Sequence, residues 1–307
     1  LVIGTGPELP ITMRSTLPFL TAAIVGNVLS AQAFEWRLAT STQPPTAREG
    51  HSITWIPNNR SAVMFGGSTA ATPNVVNDMW SWDGAAWTSV SQGTTVPSAR
   101  SGHSASYDLI RRRLVVFGGQ AANGAANNQT WEWDGAAWTQ MAPATSPSAR
   151  TKAAMIYGLG QTVLFGGQPD GSGAGTYSGE TWTWNGINWT LRTVTTGPSA
   201  RTSSAMVFDS IANDIKLFGG NTTAPSGGEQ NDLWSWNGSA WSLIPATTRP
   251  TARRLHQMAF DRARNRLVVF GGINGVSTNL SDTWSYTQST GWSQVNSTAS
   301  PEIGRAH

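Results

Sequence analysis

"WDGAAWT" occupies residues 82–88, and the same seven residues occur again at positions 133–139, 51 residues further along the chain. An identical heptapeptide at this separation indicates an internal repeat. Repeats with periods of about 20–50 residues are typical of solenoids, propellers and arrays, in which each unit buries its apolar surface against its neighbours. The repeat therefore decides the fold class before any single residue is considered.

The heptapeptide is part of a longer unit whose landmarks recur five times in the same order. A proline followed three residues later by arginine opens each unit, at Pro45/Arg48, Pro97/Arg100, Pro147/Arg150, Pro198/Arg201 and Pro250/Arg253. Phe-Gly-Gly follows at 65–67, 117–119, 165–167, 218–220 and 270–272. Paired aromatics come next, at Trp80/Trp82, Trp131/Trp133, Trp182/Trp184, Trp234/Trp236 and Trp284/Tyr286. A final tryptophan stands at 87, 138, 189, 241 and 292.

Each landmark predicts a strand or a turn. The apolar runs that end in Phe-Gly-Gly are typical of buried strands, and aromatics two residues apart point to one side of a strand. Asp-Gly or Asn-Gly then follows, which predicts a type I′ hairpin turn. These turns stand at 83–84, 134–135, 185–186 and 237–238. Each unit is thus a four-stranded antiparallel sheet, and sheets packed around an axis form a β-propeller.

The period and the Phe-Gly-Gly and tryptophan landmarks resemble the Kelch repeat, the blade unit of propellers such as the galactose oxidase central domain. The resemblance covers residues 34–307. It implies an all-β Kelch-type β-propeller, here with five complete four-stranded blades and partial N- and C-terminal blade pieces. Repeats start near 45, 97, 147, 198, 250 and 301. We expect a bacterial secreted type.

The two ends of the chain carry their own signals. Residues 13–33 begin with Met13-Arg14, continue with an apolar stretch and end in Ala31-Gln32-Ala33, which is the layout of a secretory signal peptide. A buried helix is the alternative. We expect residues 1–12 to precede the true start and the mature chain to begin at Phe34, with a secreted or periplasmic location in a bacterium.

The propeller is expected to be incomplete at both ends of the mature chain. The segment around Trp36 resembles a final strand without the three strands that should precede it. "PEIGRAH" at 301–307 resembles the opening of a sixth repeat. A ring closed by strands from both ends, truncated at the C-terminal side, accounts for the two fragments.

Composition excludes several classes of protein. Only 12% of the 307 residues are charged and the net charge is +3, with 33 glycines and 16 tryptophans, which argues against disorder. Arg111-Arg112-Arg113 is interpreted as a solvated turn, so no nucleic-acid contact is expected. The absence of cysteine removes disulfides and thiolate metal sites.

The candidate site is the face that carries the arginine connections and the connections after Phe-Gly-Gly. The second group varies between repeats, as binding loops on a rigid scaffold do. It comprises Ser68–Asn77, Gln120–Asn127, Gln168–Gly179, Asn221–Gln230 and Ile273–Asn279. The candidate ligand-binding residues are Arg48, Arg100, Arg150, Arg201, Arg253, His51, His103 and His256.

Two alternatives to ligand binding remain open for these residues. Each arginine could instead hold its own loop by bonding carbonyls or a carboxylate such as Asp78, Asp232 or Asp282. The three histidines could reach a shared metal, but none has a second ligand at chelating spacing, so no metal site is expected.

The function indicated is a secreted, non-catalytic Kelch propeller that binds a protein or carbohydrate. A sugar-modifying enzyme of the mutarotase or epimerase kind is the alternative. Galactose oxidase-like enzymes require a cysteine cross-linked to tyrosine, so the resemblance does not extend to copper oxidase chemistry in a chain without cysteine. We expect no cofactor, no membrane insertion after signal cleavage, and a monomer.

Overall fold

The computed structural model describes residues 44–72, 74–169, 176–222, 228–275 and 278–295. Within these ranges the regular secondary structure consists of strands, without a helix. The segments 1–12 and 13–33, the strand around Trp36 and the partial repeat from Pro301 lie outside the described residues and stay predictions.

The strands form five antiparallel blade sheets and one separate two-stranded hairpin, which confirms the prediction of an all-β propeller with five four-stranded blades, the first of which carries an additional two-residue strand. Blade 1 comprises β1 (Arg48–Glu49), β2 (Ser52–Ile56), β3 (Ser61–Thr69), β4 (Val75–Trp82) and β5 (Trp87–Ser89). Blade 2 comprises β6 (Ser104–Asp108), β7 (Arg113–Phe117), β8 (Thr130–Trp133) and β9 (Trp138–Met141). Blade 3 comprises β10 (Ala154–Gly158), β11 (Gln161–Phe165), β12 (Thr181–Trp184) and β13 (Trp189–Arg192).

The remaining two blades follow the same order. Blade 4 comprises β14 (Ala205–Asp209), β15 (Asp214–Phe218), β16 (Leu233–Trp236) and β17 (Trp241–Ile244). Blade 5 comprises β18 (Gln257–Asp261), β19 (Arg266–Phe270), β22 (Thr283–Thr287) and β23 (Gly291–Val295). A small hairpin, β20 (Ile273–Asn274) with β21 (Thr278–Asn279), separates its second and third main strands.

Antiparallel pairing sorts the connections onto two faces. The arginine connections and the connections after Phe-Gly-Gly lie on one face, here called the mouth face. The turns between first and second strands and between third and fourth strands lie on the other, here called the hairpin face. The first strands of successive blades contact one another from β2 to β18.

The Asp-Gly and Asn-Gly turns close hairpins as expected, but the predicted type I′ geometry is wrong. Trp82 pairs with Trp87, which leaves a four-residue turn. Only the glycine of the pair has positive φ, 103° at Gly84. The Asp83 carboxylate instead accepts the backbone N–H groups of Ala85 and Ala86. A local side-chain acceptor therefore replaces the two left-handed residues of a type I′ turn.

The first glycine of Phe-Gly-Gly permits a close approach between neighbouring blades. Gly166 has φ +73°, and a Cβ there would lie 2.4 Å from the Arg201 carbonyl oxygen. The second glycine, Gly167, donates its N–H to that same carbonyl at 2.9 Å. A side chain at Gly166 would thus displace the connection that carries Arg201, the arginine of the next blade.

Aromatic contacts hold successive blades together. The phenylalanine of Phe-Gly-Gly in one blade packs against the last tryptophan of the next blade. The ring-centroid distances are 5.1 Å for Phe65–Trp138, 5.2 Å for Phe117–Trp189, 5.5 Å for Phe165–Trp241 and 5.0 Å for Phe218–Trp292. Most of the repeated tryptophans are buried in the blade walls and serve packing.

Candidate functional site

The five repeat arginines occupy equivalent cradles on the mouth face. In blade 4, Arg201 donates Nε to the Ser199 carbonyl at 3.1 Å and Nη1 to the Gly219 carbonyl at 3.0 Å. Two further bonds, of 2.6 and 2.9 Å, join it to both oxygens of Asp232. Arg201 is 1% exposed, so its guanidinium makes these hydrogen bonds inside the protein and is not accessible to solvent. In all five blades the arginine donates one hydrogen bond to the carbonyl of the residue two positions before it. It donates another to the carbonyl of the first glycine of Phe-Gly-Gly.

The acceptor that pairs with each arginine stands two residues before the first tryptophan of the aromatic pair. Asp232 also accepts the indole N–H of Trp234 at 2.6 Å. Burial favours a higher pKa for Asp232, but the bonds and charge of Arg201 and the bond from Trp234 outweigh it, so the pKa lies below its usual value. The equivalent acceptors are Asp78, Gln129, Glu180 and Asp282. Sequence reasoning named the three aspartates but missed Gln129 and Glu180.

Blade 2 differs because its arginine has no carboxylate partner in the cradle. Arg100 bonds to the side-chain oxygens of Gln129 at 2.6 Å and Asn127 at 3.2 Å. Burial without a compensating negative charge lowers the pKa of Arg100 to about 10. The guanidinium nevertheless stays protonated at neutral pH and holds the same loop geometry with neutral acceptors.

These contacts support the alternative in which each arginine holds its own loop. The guanidinium groups of Arg100, Arg150, Arg201 and Arg253 are buried, and the Arg48 side chain is 3% exposed. Ligand binding by these five residues stays a prediction. A ligand that approaches the mouth face meets the loops before it meets the arginines.

The three candidate histidines also lie beside the arginine connections, at two levels of burial. His103 bonds to Ser52 at 2.9 Å, and His256 packs edge-on against Phe218 with centroids 5.3 Å apart. Burial, reinforced by the charge of the neighbouring arginine, lowers the pKa of His103 and of His256 to about 3. Burial and Arg48 also lower the pKa of the less buried His51. His103 and His256 are therefore neutral at physiological pH.

The buried histidines make the protein sensitive to acid. Because the folded-state pKa of His256 is about 3 and the unfolded value is about 6.5, the unfolded chain binds an extra proton between these pH values. Stability therefore falls as the pH drops below about 6.5. We expect about 2 kcal/mol of loss from His256 between pH 7 and pH 5. Denaturant unfolding of the wild type and of His256→Gln at both pH values measures it, and equal pH dependence in the two proteins would contradict the assignment.

A chain of backbone hydrogen bonds runs around the mouth of the propeller. Its members stand two residues after each arginine, and we call them the mouth residues: Gly50, Gly102, Lys152, Ser203 and Leu255. Each donates its N–H to the carbonyl of the mouth residue in the preceding blade, from Gly102 to Leu255, at 2.7–3.0 Å. All five have positive φ. The backbone is thus the same at five positions that carry four different amino acids.

The mouth residues present varied side chains to solvent. Lys152 is exposed, and Leu255 is 49% exposed. Glu49, one residue before the first of them, is exposed as well. Arg254 forms an ion pair with Glu229, which lies in the connection after Phe-Gly-Gly of blade 4. The residue type at these positions did not reveal the left-handed backbone, so sequence reasoning did not select them.

Positive φ in a non-glycine mouth residue has a measurable cost. Left-handed backbone costs an L-residue about 1–2 kcal/mol, and the greater flexibility of unfolded glycine offsets about half of that. We expect Leu255→Gly to raise the free energy of unfolding by about 0.5–1 kcal/mol. The control is Ile187→Gly, in an exposed turn without positive φ, which should be neutral or destabilising. Destabilisation by both variants would rule out the strain.

The variable connections after Phe-Gly-Gly surround the mouth residues. The predicted connection Ser68–Asn77 is half strand, because β3 extends to Thr69 and β4 begins at Val75, which leaves residues 70–74 as the connection itself. The corresponding connections contain an isolated bridge in blade 2, Gln120 with Ala126, another in blade 4, Asn221 with Glu229, and the β20–β21 hairpin in blade 5. Residues 170–175, 223–227 and 276–277 of these connections lie outside the described residues.

Within the described ranges, no group of three or more His, Asp or Glu side chains is placed to hold a metal ion. In the same ranges, no helix has the length and apolarity needed to cross a membrane.

Comparison with known proteins places this geometry among Kelch propellers. The chain is 32% identical over 129 residues to Dynein regulatory complex subunit 7 of Chlamydomonas reinhardtii, covering 40% of this chain and 11% of that protein. It is 30% identical over 218 residues to human Multiple epidermal growth factor-like domains protein 8, covering 63% and 7%. It is 32% identical over 151 residues to Adagio-like protein 3 of Oryza sativa subsp. japonica, covering 46% and 23%.

The chain therefore spans less than a quarter of the length of each of these relatives. A family model gives the wider match. The KLHDC2/KLHL20/DRC7 Kelch-repeats domain matches residues 26–171 and 83–211, which together cover more than half of the chain. With five four-stranded blades that carry the repeat landmarks, the chain belongs to this Kelch-repeat family.

Proposed function

We propose that this propeller is a non-catalytic binding module that holds a protein ligand at the mouth face, through the mouth residues and the connections around them. One observation carries the proposal. The five mouth residues share one backbone geometry, whereas blades 1 and 2 have glycine there and blades 3, 4 and 5 carry the different side chains of Lys152, Ser203 and Leu255. The repeated arginines and tryptophans are engaged inside the scaffold, which leaves the varied residues for recognition.

The chemistry of the mouth favours a protein over a carbohydrate. Leu255 offers an apolar side chain, and Lys152 and Glu49 offer exposed charges on the same face, the mixture that protein interfaces use. Exposed aromatic platforms are typical of sugar sites, whereas the tryptophans of blades 2 and 3 are buried in the walls, and Trp80, Trp234 and Trp284 are partly buried and bonded to the cradle aspartates. The name of the Chlamydomonas relative, a subunit of a regulatory complex, supports an interaction role.

Secretion is a separate part of the proposal and rests on residues 13–33 alone. The basic start, the apolar stretch and Ala31-Gln32-Ala33 support export and cleavage. N-terminal sequencing of protein recovered outside the cytoplasm is expected to begin at Phe34. Recovery of an uncleaved chain inside the cytoplasm would contradict export without touching the proposed binding role.

Substitutions at the mouth test the binding role. Leu255→Asp and Lys152→Glu change exposed side chains, so the melting temperature should stay within a few degrees while capture of a protein ligand from the native source is lost. Ile187→Asp, on the hairpin face and 70% exposed, is the matched control and should retain capture. Unchanged capture in both mouth variants contradicts the proposal.

The same variants separate the other functions. Binding on a glycan array that Leu255→Asp abolishes would replace the protein ligand by a carbohydrate. Turnover of a sugar that a mouth variant reduces, at unchanged affinity, would indicate an enzyme of the mutarotase kind instead.

A further inference from the structure

Four Asn-Gly pairs occur in the chain, at 123–124, 185–186, 237–238 and 274–275. Because glycine has no side chain, its backbone nitrogen approaches the carboxamide carbon of the preceding asparagine with little hindrance and can close a five-membered ring with it. The four pairs share this chemistry, so their surroundings in the folded protein decide which of them reacts.

Asn237-Gly238 lies in the exposed turn between the third and fourth strands of blade 4, on the hairpin face. The Oδ1 atom of Asn237 accepts three hydrogen bonds, from the Ser239 N–H at 2.9 Å, the Ser239 hydroxyl at 3.0 Å and the Ala240 N–H at 2.9 Å. Donors at these distances stabilise negative charge on a carbonyl oxygen, as those of an oxyanion hole do. The carboxamide carbon of Asn237 is therefore activated toward attack.

The backbone nitrogen of Gly238, which is the attacking atom, is unhindered. Among the described residues its N–H has no hydrogen-bond partner. A Cβ placed on Gly238 would meet one atom within 4 Å besides those of its chain neighbours, Leu159 Cδ1 at 3.7 Å. The turn is thus open around the two atoms that must join.

Contacts restrain the pairs at 123–124 and 274–275. The Gly124 N–H donates to the Ala121 carbonyl at 2.9 Å, so the nitrogen that would attack Asn123 is occupied. Asn274 is half-buried, and its backbone pairs with Thr278 in the β20–β21 hairpin. Ring closure at either pair has to break an existing backbone contact first.

Asn185-Gly186 is the matched pair, in the equivalent turn of blade 3. The Oδ1 atom of Asn185 accepts the N–H groups of Ile187 and Asn188, both at 2.9 Å, and isoleucine stands where blade 4 has the serine hydroxyl. The Arg111 guanidinium lies against Gly186, since a Cβ there would be 2.5 Å from Arg111 Nη1. The blade 3 turn therefore has one activating donor fewer and less freedom to move.

We propose that Asn237 is a site of spontaneous covalent modification, at which it cyclises with Gly238 and becomes aspartate or isoaspartate. The Gly238 nitrogen loses its proton to water and bonds to the Asn237 carboxamide carbon. The bond from that carbon to Nδ2 breaks, and Nδ2 takes a proton from water and leaves as ammonia. Water then opens the resulting succinimide. Opening at the former carboxamide carbon gives aspartate, and opening at the main-chain carbonyl gives isoaspartate, so one water is consumed and one ammonia released.

The two products have different consequences for blade 4. Aspartate suits the turn, because Asp83 and Asp134 cap the equivalent turns of blades 1 and 2 with the same two N–H bonds. Isoaspartate adds one carbon atom to the main chain between Trp236 and Trp241, which pair across the turn. Both products add a negative charge to the hairpin face, and isoaspartate also disturbs the hairpin that carries Trp241.

Ageing of the purified full chain tests the proposal. The folded protein is kept at pH 8, and peptide mass spectrometry follows the replacement of the carboxamide NH2 by OH at the four asparagines. An isoaspartyl carboxyl methyltransferase with a labelled methyl donor reports the isoaspartate form. Asn237 is expected to react at least about fivefold faster than Asn123, whose neighbouring nitrogen must first lose a hydrogen bond, and the four sites should react at similar rates in denaturant.

A reciprocal pair of variants tests the serine hydroxyl. Ser239→Ile gives the blade 4 turn the residue of blade 3 and Ile187→Ser does the reverse, and both side chains are exposed. Ser239→Ile is expected to slow the reaction of Asn237 at least about fivefold, and Ile187→Ser to accelerate that of Asn185. Equal rates at Asn237 and Asn123 in the folded protein would overturn the proposal. Unchanged rates in both variants would overturn the activation by the hydroxyl.

Discussion

Trp184→Ala is expected to lower the free energy of unfolding by about 3–5 kcal/mol, the range for truncating a large buried aromatic. Trp184 is fully buried, with its ring 5.4 Å from that of Trp189. Its indole N–H donates to Glu132 of the preceding blade at 2.7 Å. The truncation thus opens a cavity between two blades and removes a bond from a buried carboxylate. Denaturant unfolding at neutral pH gives the value.

Trp82 is the matched control because it holds the equivalent position in blade 1. Its side chain is only half-buried, so Trp82→Ala should cost clearly less than Trp184→Ala. Equal losses in the two variants would show that burial between blades does not set the contribution of the repeated tryptophans.

Arg201→Ala is expected to cost about 3 kcal/mol at neutral pH, because removing one partner of a buried ion pair leaves the other charge uncompensated. This value is the lower end of the range for breaking a buried ion pair, because Asp232 keeps 17% of its side chain exposed. The Gly219 carbonyl and the Ser199 carbonyl lose donors in the same change. Melting temperature and denaturant unfolding both report the loss.

The pH dependence of this loss distinguishes charge from shape. With Arg201 present, the pKa of Asp232 lies below its usual value, so the pair contributes stability above about pH 4 and loses it as the pH falls through the folded-state pKa. The destabilisation by Arg201→Ala should therefore be smaller at about pH 3 than at pH 7. Arg100→Ala, whose partners are the neutral Gln129 and Asn127, should cost about 1–3 kcal/mol at both pH values. A pH-independent loss in Arg201→Ala would contradict the charge argument.

The sequence predicted the blades because their landmarks have direct physical meaning. Phe-Gly-Gly ends the second strand in blades 2 to 5, and the last tryptophan begins the fourth strand in blades 1 to 4. Aromatics two residues apart were predicted to lie on one side of a strand, and in blades 2 and 3 both members of the pair are buried. The type I′ turns were wrong because Asp83 caps its turn with its carboxylate, a choice that the dipeptide alone does not reveal.

The candidate site was harder to predict because its features arise between blades. Gln129 and Glu180 occupy the acceptor position of Asp232, but their longer side chains conceal the equivalence. Lys152 and Leu255 carry no sign of left-handed backbone, which the hydrogen bonds between blades impose.

The accessibility of the repeat arginines to phenylglyoxal tests the central claim, that these arginines build the scaffold. Peptide mass spectrometry of the folded protein is expected to find slow modification of the buried guanidinium groups, at Arg100, Arg150, Arg201 and Arg253. Exposed Arg112 and Arg262 serve as reference sites and should react rapidly. All six should react at similar rates in denaturant. Rapid modification of the four buried arginines in the folded protein would contradict the account and return them to the mouth face as ligand contacts.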